Sequence, residues 1–443
     1  MGLGLPLLEN RLPAKICYAC QLNKMKILCL SNGHGEDAIA VRILQALQQQ
    51  PQASEIAALP LVGKGQAYIN HNIAIVGPIK TMPSGGFVYM DGRQLARDIK
   101  GGLLQLTLAQ IKTVKAWAKE GGSILAVGDI VPLLFAWLSG APYAFVGTAK
   151  SEYYLRDEVG PLPRHSWFEQ MEAWSGSVYL PWERWLMSRP KCQAVFPRDS
   201  LTTAGLKQWS IPAFDLGNPM MDSLEPSAAA IATRSQENLP LTIALLPGSR
   251  PPEAYANWHQ IIQAIARVLE TFPSRPLLFL GAIAPGLDLE LLREPLEKQG
   301  WRLRTSDHVF SSDLTALCFT QRKATLVLTQ QAFNDCLHLA DLAIAMAGTA
   351  TEQFVGLGKP AITLPGQGPQ FTPAFAEAQT RLLGASVTLV KQPAQVPKAI
   401  EALLSNPDRL QIISDNGQRR MGAPGAAQRI AAQLAQQFGK LNA

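Results

Sequence analysis

The sequence alternates short apolar runs, rich in β-branched residues, with stretches of helical periodicity, and this alternation constrains the fold more than any other feature. Helical stretches such as 37–49 and 103–119 separate several of the apolar runs. Because each connection between parallel strands must cross back over the sheet, such a series predicts an α/β fold with a doubly wound parallel sheet. The strand candidates in the first half of the chain are residues 26–31, 56–62, 73–77, 123–128, 142–147, 192–196 and 213–217.

The same alternation restarts after a polar stretch at residues 222–239, which we interpret as an interdomain linker. The 443 residues therefore predict a first domain at 25–221 and a second at 240–443. We expect residues 1–24 to be a loose extension and the last helix to pack back on the first domain. The strand candidates of the second half are residues 242–248, 276–282, 325–329, 342–348 and 360–366, and its helices include 253–271 and 374–383.

Charge and hydropathy exclude several classes of protein. Lys and Arg outnumber Asp and Glu by 40 to 34, an excess that suits anionic small molecules or phospholipid but has no clustered pattern for nucleic acid. The most apolar stretch, 124–146, is interrupted by Asp129, Pro132, Gly140 and Pro142, so it predicts no membrane-spanning helix. Dispersed cysteines and the lack of a secretory signal favour a cytoplasmic location.

The loop after the first strand, SNGHGED, combines glycines that permit close approach of a ligand with polar residues at a helix start. Ligands bind to open parallel sheets beyond the carboxyl ends of their strands, so this position is informative. An ordinary turn, with Asp37 as a favourable charge at the helix N-terminus, is one interpretation. A functional interpretation requires His34, Glu36 or Asp37 to face the cleft between the domains as a base.

Two loops of the second half have the composition of a phosphate site. The sequence LLPGSR places Gly248, Ser249 and Arg250 at a strand end, where a guanidinium and backbone N–H groups suit a diphosphate. The sequence AGTATEQ leads from a strand into a helix whose small residues let a ligand approach, and whose first polar side chains suit ribose hydroxyls. Its candidate residues, with one from the end of the following strand, are Gly348, Thr349, Ala350, Thr351, Glu352, Gln353 and Gln370.

The order SNGHGED, LLPGSR and AGTATEQ, followed by GKPAI and LPG, resembles the GT-B glycosyltransferases. The likeness is strongest to lipid-A-disaccharide synthases and the cyanobacterial proteins related to them, and it covers most of residues 25–430. Two positions depart from the synthases. Of their Ser-Gly-Asp loop only the acidic end, Asp37, is kept. The synthase glutamate falls at Gln353, so that Glu352 is displaced by about 100° around the helix.

The resemblance implies the GT-B fold, in which two Rossmann-like domains face a cleft. It also implies inverting transfer of a sugar of the N-acetylglucosamine type from a UDP-sugar to a lipid-linked acceptor, as in lipid A biosynthesis, without a metal or other cofactor. Arg250 and the helix start at Gly348 would stabilise the departing diphosphate. Asp37 is the first candidate for the base, with His34 and Asp129 as alternatives. For Asp129, capping of the following turn is an equally good interpretation.

Tryptophans and basic residues alternate between Trp167 and Trp185. Amphipathic aromatic side chains beside cations suit the headgroup layer of an anionic membrane. We therefore expect Trp167, Trp174, Trp182 and Trp185 to hold the lipid acceptor or to contact the inner face of the cytoplasmic membrane peripherally. Packing in the domain core is the alternative interpretation. The glycine-containing segment 82–92 is a candidate for a loop over the cleft.

Two other functions stay open on the sequence. UDP-sugar 2-epimerases use the same architecture and need several acids and a histidine around the sugar, a set that His34, Asp37, Asp129 and Glu152 would supply. An epimerase would act without an acceptor. A non-catalytic nucleotide-sugar-binding protein would also keep the fold, and the displaced Glu352 is the feature that favours it.

Overall fold

The computed structural model describes residues 25–50, 54–80, 102–163, 167–236, 239–304, 313–368 and 371–440. The extension at 1–24 and the segment 82–92 lie outside these ranges. Within them, the chain forms two α/β domains, each built on one sheet.

The first domain has a parallel sheet whose strands are almost entirely apolar, as expected of strands covered by helices on both faces. The strands are β1 (Met25–Ser31), β2 (Ser54–Pro60), β3 (Ala74–Ile75), β4 (Ser123–Gly128), β5 (Tyr143–Gly147) and β6 (Cys192–Phe196). Their order in the sheet is β3-β2-β1-β4-β5-β6. The chain thus extends the sheet first on one side of β1 and then on the other, so that the order reverses between β1 and β4.

Helices cover both faces of this sheet. They are α1 (His34–Gln48), α2 (Gln66–Asn70), α3 (Leu103–Lys119), α4 (Ile130–Ser139), α5 (Trp167–Trp174), α6 (Pro181–Met187) and α7 (Ser200–Lys207), with 3₁₀ turns at Glu152–Tyr154 and Pro219–Met221. The strand predicted at 213–217 is not formed, and Ala213 makes only an isolated parallel bridge to Val195. The segment ends at Gly217, whose φ of 84° turns the chain toward the second domain.

The second domain has a larger sheet with one mixed edge. Its strands are β7 (Leu241–Leu246), β8 (Leu277–Ala282), β9 (Arg302–Arg304), β10 (Leu317–Gln321), β11 (Ala324–Thr329), β12 (Leu342–Ala345), β13 (Ala361–Thr363) and β14 (Val387–Leu389). Their order is β14-β13-β12-β7-β8-β11-β10-β9. All neighbours are parallel except that β10 runs antiparallel to β9 and β11, an arrangement that the expected parallel sheet did not include.

The helices of the second half, except the last, pack around this sheet, and the longest, α9, buries the largest core side chain, Trp258. They are α8 (Ala228–Arg234), α9 (Glu253–Thr271), α10 (Leu289–Lys298), α11 (Phe333–Leu339), α12 (Thr349–Gly356), α13 (Pro373–Leu383), α14 (Val396–Leu404), α15 (Pro407–Met421) and α16 (Ala426–Gly439), with 3₁₀ turns at Gly384–Ser386 and Pro393–Gln395. In this sheet the strand order reverses between β7 and β12.

The final helix crosses back to the first domain. The apolar side chains of Ile430, Leu434 and Phe438 are buried in the same core cluster as β1 and α1. The start of α16 is fixed by Asp222, whose carboxylate accepts hydrogen bonds from three backbone N–H groups at residues 425–427. The chain leaves the first domain near Asp222 and returns to it at α16. The Asp222 carboxylate therefore connects these two crossings between the domains.

Candidate functional site

The strand order of each sheet reverses at one point, and a crevice opens there because the connections on its two sides leave in opposite directions. In the first domain, the loops after β1 and β4 are joined by a hydrogen bond of 2.9 Å from Asn32 Nδ2 to Asp129 Oδ2. In the second domain, the loops after β7 and β12 are joined by Asn257, whose Nδ2 donates to the carbonyl oxygens of Pro247 at 3.0 Å and Met346 at 3.2 Å. Each reversal point is therefore held together by an asparagine.

Glu36 of the first domain and Arg250 of the second domain interact electrostatically across the cleft. Burial raises the pKa of Glu36, and the carboxylates of Asp129 and Asp37 raise it further, while its own backbone N–H and Arg250 oppose the rise. Burial lowers the pKa of Arg250, and the charges of Glu36 and Glu253 oppose that change. The two reversal points thus face each other, with an acid on one side and a cation on the other.

Two glycines make room for the Glu36 side chain. A Cβ atom on Gly128 would lie 3.2 Å from Glu36 Cγ, and one on Gly33 would lie 3.6 Å from Glu36 Oε2. Both glycines have positive φ values, 129° and 136°, which side chains rarely tolerate. The glycines of the SNGHGED loop and of the end of β4 therefore shape the pocket in which Glu36 lies.

Asp37, the first candidate base of the sequence analysis, has different surroundings from Glu36. It is only 3% exposed, and its Oδ1 accepts a hydrogen bond of 2.6 Å from Ser31 Oγ. Ser31 Oγ is in turn 2.6 Å from the hydroxyl of Tyr68, which is fully buried and whose pKa burial raises. The structure places Asp37 in this buried polar cluster, and it places Glu36 on the partly exposed side of the loop.

Asp129 has the capping role that the sequence suggested as one of two interpretations. Its Oδ1 accepts a hydrogen bond of 2.8 Å from the backbone N–H of Val131 and so caps α4. Its Oδ2 accepts the bond from Asn32. Burial raises the pKa of Asp129, the two hydrogen bonds oppose the rise, and the charge of Glu183 adds to it. Asp129 therefore fixes the loop and places a negative charge near Glu36.

The phosphate-site candidates of the second domain lie at facing loop positions. Ser249 and Thr349 are exposed, and Gly248, Arg250 and Gly348 are half-buried. Ala350 is also half-buried, as expected for a helix start open to a ligand. These residues come together because β7 and β12 are neighbours in the sheet.

Two candidates of this set instead join the domains. Glu352 Oε2 accepts a hydrogen bond of 2.5 Å from Nη2 of Arg198, the second residue after β6, and both side chains are buried. Burial alone would lower the pKa of Arg198, but the adjacent Glu352 carboxylate outweighs this effect and raises it. Gln353 Nε2 donates to the carbonyl oxygen of Met220 at 2.9 Å, in the crossing between the domains. The sequence did not indicate these interdomain contacts.

Thr351 also makes an internal contact, because it is buried and its hydroxyl donates to the carbonyl oxygen of Ala347 at 2.6 Å. The side chains of His34 and Trp167 and the whole of Gln370 lie outside the described part of the chain.

The tryptophans of α5 and α6 whose side chains are described are on the surface. Trp174, Trp182 and Trp185 are 84%, 51% and 45% exposed, so they do not pack in the domain core. Trp185 lies edge-on to Trp137 of α4, with ring centroids 5.3 Å apart, and the guanidinium of Arg189 stacks 4.3 Å above its ring. Among the alternating aromatic and basic residues, Trp185 and Arg189 are therefore adjacent in space.

No protein-family model matches the sequence, and no curated protein matches it either. Solved structures do match over nearly the whole chain. MurG from Acinetobacter baumannii has a TM-score of 0.55 at 15% identity, covering 93% of this chain and 99% of its own. The UDP-GlcNAc 2-epimerase from Methanocaldococcus jannaschii has a TM-score of 0.53 at 16% identity, covering 93% and 100%. The UDP-GlcNAc 2-epimerase from Neisseria meningitidis, bound to UDP-GlcNAc, has a TM-score of 0.52 at 14% identity, also covering 93% and 100%. The chain therefore has the GT-B fold that its motifs predicted.

Proposed function

We propose that the protein is a glycosyltransferase that moves a sugar from a UDP-sugar to an acceptor hydroxyl with inversion at the anomeric carbon. One observation carries the proposal: Glu36 and Arg250 face each other across the cleft. Each lies at the point where the strand order of its sheet reverses. A carboxylate of raised pKa is suited to accept a proton, and a cation fixed at a strand end is suited to hold a diphosphate. An inverting transferase needs these two groups on opposite sides of the sugar.

The second domain supplies the leaving-group side of the reaction. Cleavage of the bond between the anomeric carbon and the diphosphate builds negative charge on the diphosphate. Arg250 and the backbone N–H groups at the start of α12 stabilise that charge because they are already in place before the bond breaks. A UDP-sugar of the N-acetylglucosamine type is our proposed donor, supported by the UDP-GlcNAc named for structures of the same fold.

The first domain supplies the base. The acceptor hydroxyl loses its proton as its oxygen attacks the anomeric carbon from the face opposite the diphosphate. Because the pKa of Glu36 is raised, its carboxylate binds a proton more strongly than an ordinary glutamate does. We therefore propose Glu36 as the base in place of Asp37, whose carboxylate is buried against Ser31. His34, in the same loop, is the alternative.

We further propose that the acceptor is lipid-linked and that the protein contacts an anionic membrane peripherally. Helix α3 packs against α4, and α4 packs against α6, so the three helices form one surface. Exposed apolar side chains lie on it, namely Leu104 and Leu108 of α3 and Trp182 and Trp185 of α6. Arg189 adds positive charge beside the aromatic rings. No helix in the described ranges is long and apolar enough to cross a bilayer.

The proposal is tested by thermal unfolding in the presence of UDP-, GDP-, ADP- and dTDP-sugars. A ligand at 100 times its dissociation constant adds about 2.7 kcal/mol of stability, which raises Tm measurably. We expect a selective shift with a UDP-sugar that is lost in Arg250→Ala. The matched control is Arg267→Ala, which removes an exposed arginine paired with Glu270 on α9 and keeps the shift. The absence of a shift with any nucleotide sugar would overturn the proposal.

A second candidate is a UDP-sugar 2-epimerase, which the structures from Neisseria and Methanocaldococcus favour by their names. Glu152, an acid that this function would use, has other contacts here. Its carboxylate is buried and accepts hydrogen bonds from Ser177 Oγ, the N–H of Val178 and Arg156 Nε. Incubation with a UDP-sugar alone separates the functions, because an epimerase converts it to an isomer without an acceptor. Binding without turnover in either assay would favour a non-catalytic nucleotide-sugar-binding protein.

A further inference from the structure

We infer that Asn257 and Gln379 are positioning residues whose side-chain amides turn a row of backbone N–H groups toward the donor diphosphate. Together they form an amide clamp on the loops after β7 and β12. The inference rests on the proposed function and identifies the groups behind its phosphate site.

Asn257 holds the two loops together from their buried side. It lies on α9, is 1% exposed, and donates both amide hydrogens, one to the carbonyl oxygen of Pro247 and one to that of Met346. The loops are in contact at the end of the sheet, where the N–H of Met346 donates to Leu246. Asn257 continues this connection one residue beyond the strands. It therefore sets the distance between the loop that carries Arg250 and the start of α12.

Gln379 acts on the same segment from α13. It is 2% exposed, and its Nε2 donates to the carbonyl oxygens of Ala347 at 3.0 Å and Gly348 at 3.3 Å. The hydroxyl of Thr351 donates to the same Ala347 oxygen. Three consecutive carbonyl groups, at residues 346–348, are therefore all turned toward buried donors.

The direction of each of these carbonyl groups also fixes the direction of the N–H group of the next residue. In a planar trans peptide, the carbonyl oxygen of one residue and the N–H of the next point in opposite directions. The carbonyl bonds to the clamp therefore direct the N–H groups of Gly248, Ala347, Gly348 and Thr349 away from the buried amides. Within the described residues, none of these four N–H groups has a hydrogen-bond partner. Such a row of donors, next to Arg250, suits the oxygens of a diphosphate.

Both clamp residues also have a polar atom that folding alone does not explain. Asn257 Oδ1 and Gln379 Oε1 are buried and have no hydrogen-bond partner in the described part of the chain. An unsatisfied buried oxygen destabilises the fold, whereas an apolar side chain of similar size would avoid that cost. The donated bonds are therefore what the two amides provide. Gly248, with φ of 99°, lets its loop lie close to Met346, because a Cβ there would be 3.4 Å from the Met346 oxygen.

The test compares UDP with uridine, because a merely structural role would not distinguish the two. Binding to the full chain is measured by calorimetry and ligand-observed NMR for the wild type, Asn257→Leu and Gln379→Met. The matched control is Asn416→Leu, which removes a buried amide that donates to the carbonyl oxygen of Leu383 and to Ser386 Oγ. Asn257→Ala and Gln379→Ala, which add neither charge nor bulk, replace Asn257→Leu and Gln379→Met if those do not fold.

We expect each clamp variant to bind UDP about tenfold or more weakly, with uridine affinity within about twofold of the wild type and both affinities retained in the Asn416 control. Folded clamp variants that keep their UDP affinity would overturn the clamp and leave the proposed function standing. Equal weakening for UDP and uridine would also overturn it, since the amides would then shape the whole site. A wild type that binds neither UDP nor inorganic pyrophosphate would overturn both proposals.

Discussion

At the scale of single residues, Glu36 carries the proton-transfer step of the proposed reaction, so its amide variant is the most direct test of it. Glu36→Gln cannot accept the proton of the acceptor, and we expect turnover to fall by about 10²-fold or more. UDP affinity should be retained or increased, because the lost negative charge lies near Arg250. Steady-state rates and UDP calorimetry on the same preparation measure both effects. Wild-type turnover in this variant would exclude Glu36 as the base.

Asp37→Asn is the matched control for that variant. The introduced amide would keep an oxygen that accepts the bond from Ser31, so we expect a smaller loss of turnover than in Glu36→Gln. If the order of the two losses were reversed, Asp37 would be the base and Glu36 a neighbour.

The pH dependence follows from the same environment. Glu36 must be deprotonated to act, so kcat/KM should fall as the pH drops through its raised pKa, above the value of about 4.3 for an exposed glutamate. The negative charge of Asp129 contributes to that rise. In Asp129→Asn the acid limb of the pH profile should therefore move to lower pH. An acid limb that stays in place, or moves to higher pH, would contradict this account of the site.

The sequence alone could not choose between Glu36 and Asp37. Consecutive residues of a helix point in directions about 100° apart, so their placement depends on the rotation of α1 about its axis. That rotation is set by the packing of Ile39, Ile43 and Leu47 into the core rather than by the loop motif. The loop could be identified from the sequence because its position after a strand is a topological property.

At the scale of secondary-structure elements, helices α3, α4 and α6 act together as one surface, and the membrane prediction belongs to that surface. We expect the wild type to float with vesicles that contain anionic lipid and to dissociate at high salt. Trp182→Ser with Trp185→Ser should reduce flotation severalfold, because two exposed aromatic side chains are lost.

The control for the surface is Ile412→Ser, since that exposed apolar side chain belongs to α15 of the second domain and not to the three helices. Equal flotation of the wild type and the double variant would remove the surface from the proposal and leave the donor site untouched.

The elements were predictable where burial gives a strong pattern. The predicted bounds of the helices at 103–119 and 253–271 match α3 and α9. The edge strand β9 was missed because all three of its residues are exposed, so no apolar run marks it. The strand predicted at 213–217 was wrong, because only Ala213 pairs with β6 before the chain leaves the sheet.

At the scale of the whole molecule, the two domains are joined by several contacts. No local sequence pattern could indicate these contacts. Arg198 and Glu352 are 154 positions apart in the chain and lie in different domains. Arg420 stacks 4.0 Å above the ring of Tyr153, and Arg381 donates to the carbonyl oxygen of Tyr154. The sequence predicted the two domains because each follows a local alternation. It did not predict their interface, which depends on residues brought together only by folding.

The Arg198–Glu352 pair links α12, which carries the proposed diphosphate site, directly to the first domain. Removal of one partner leaves a buried charge without its counterion, so Arg198→Met should lower the free energy of unfolding by about 3–5 kcal/mol. The double variant Arg198→Met with Glu352→Gln should recover much of that loss, because no unpaired charge stays buried. Denaturant unfolding of the wild type, both single variants and the double variant gives the coupling energy. UDP titration of the same four proteins shows whether the link also serves the donor site, in which case the double variant is stable but binds UDP more weakly. Additive losses of stability would mean that the two side chains do not interact in solution, and that α12 is held to the first domain by the Gln353 contact instead.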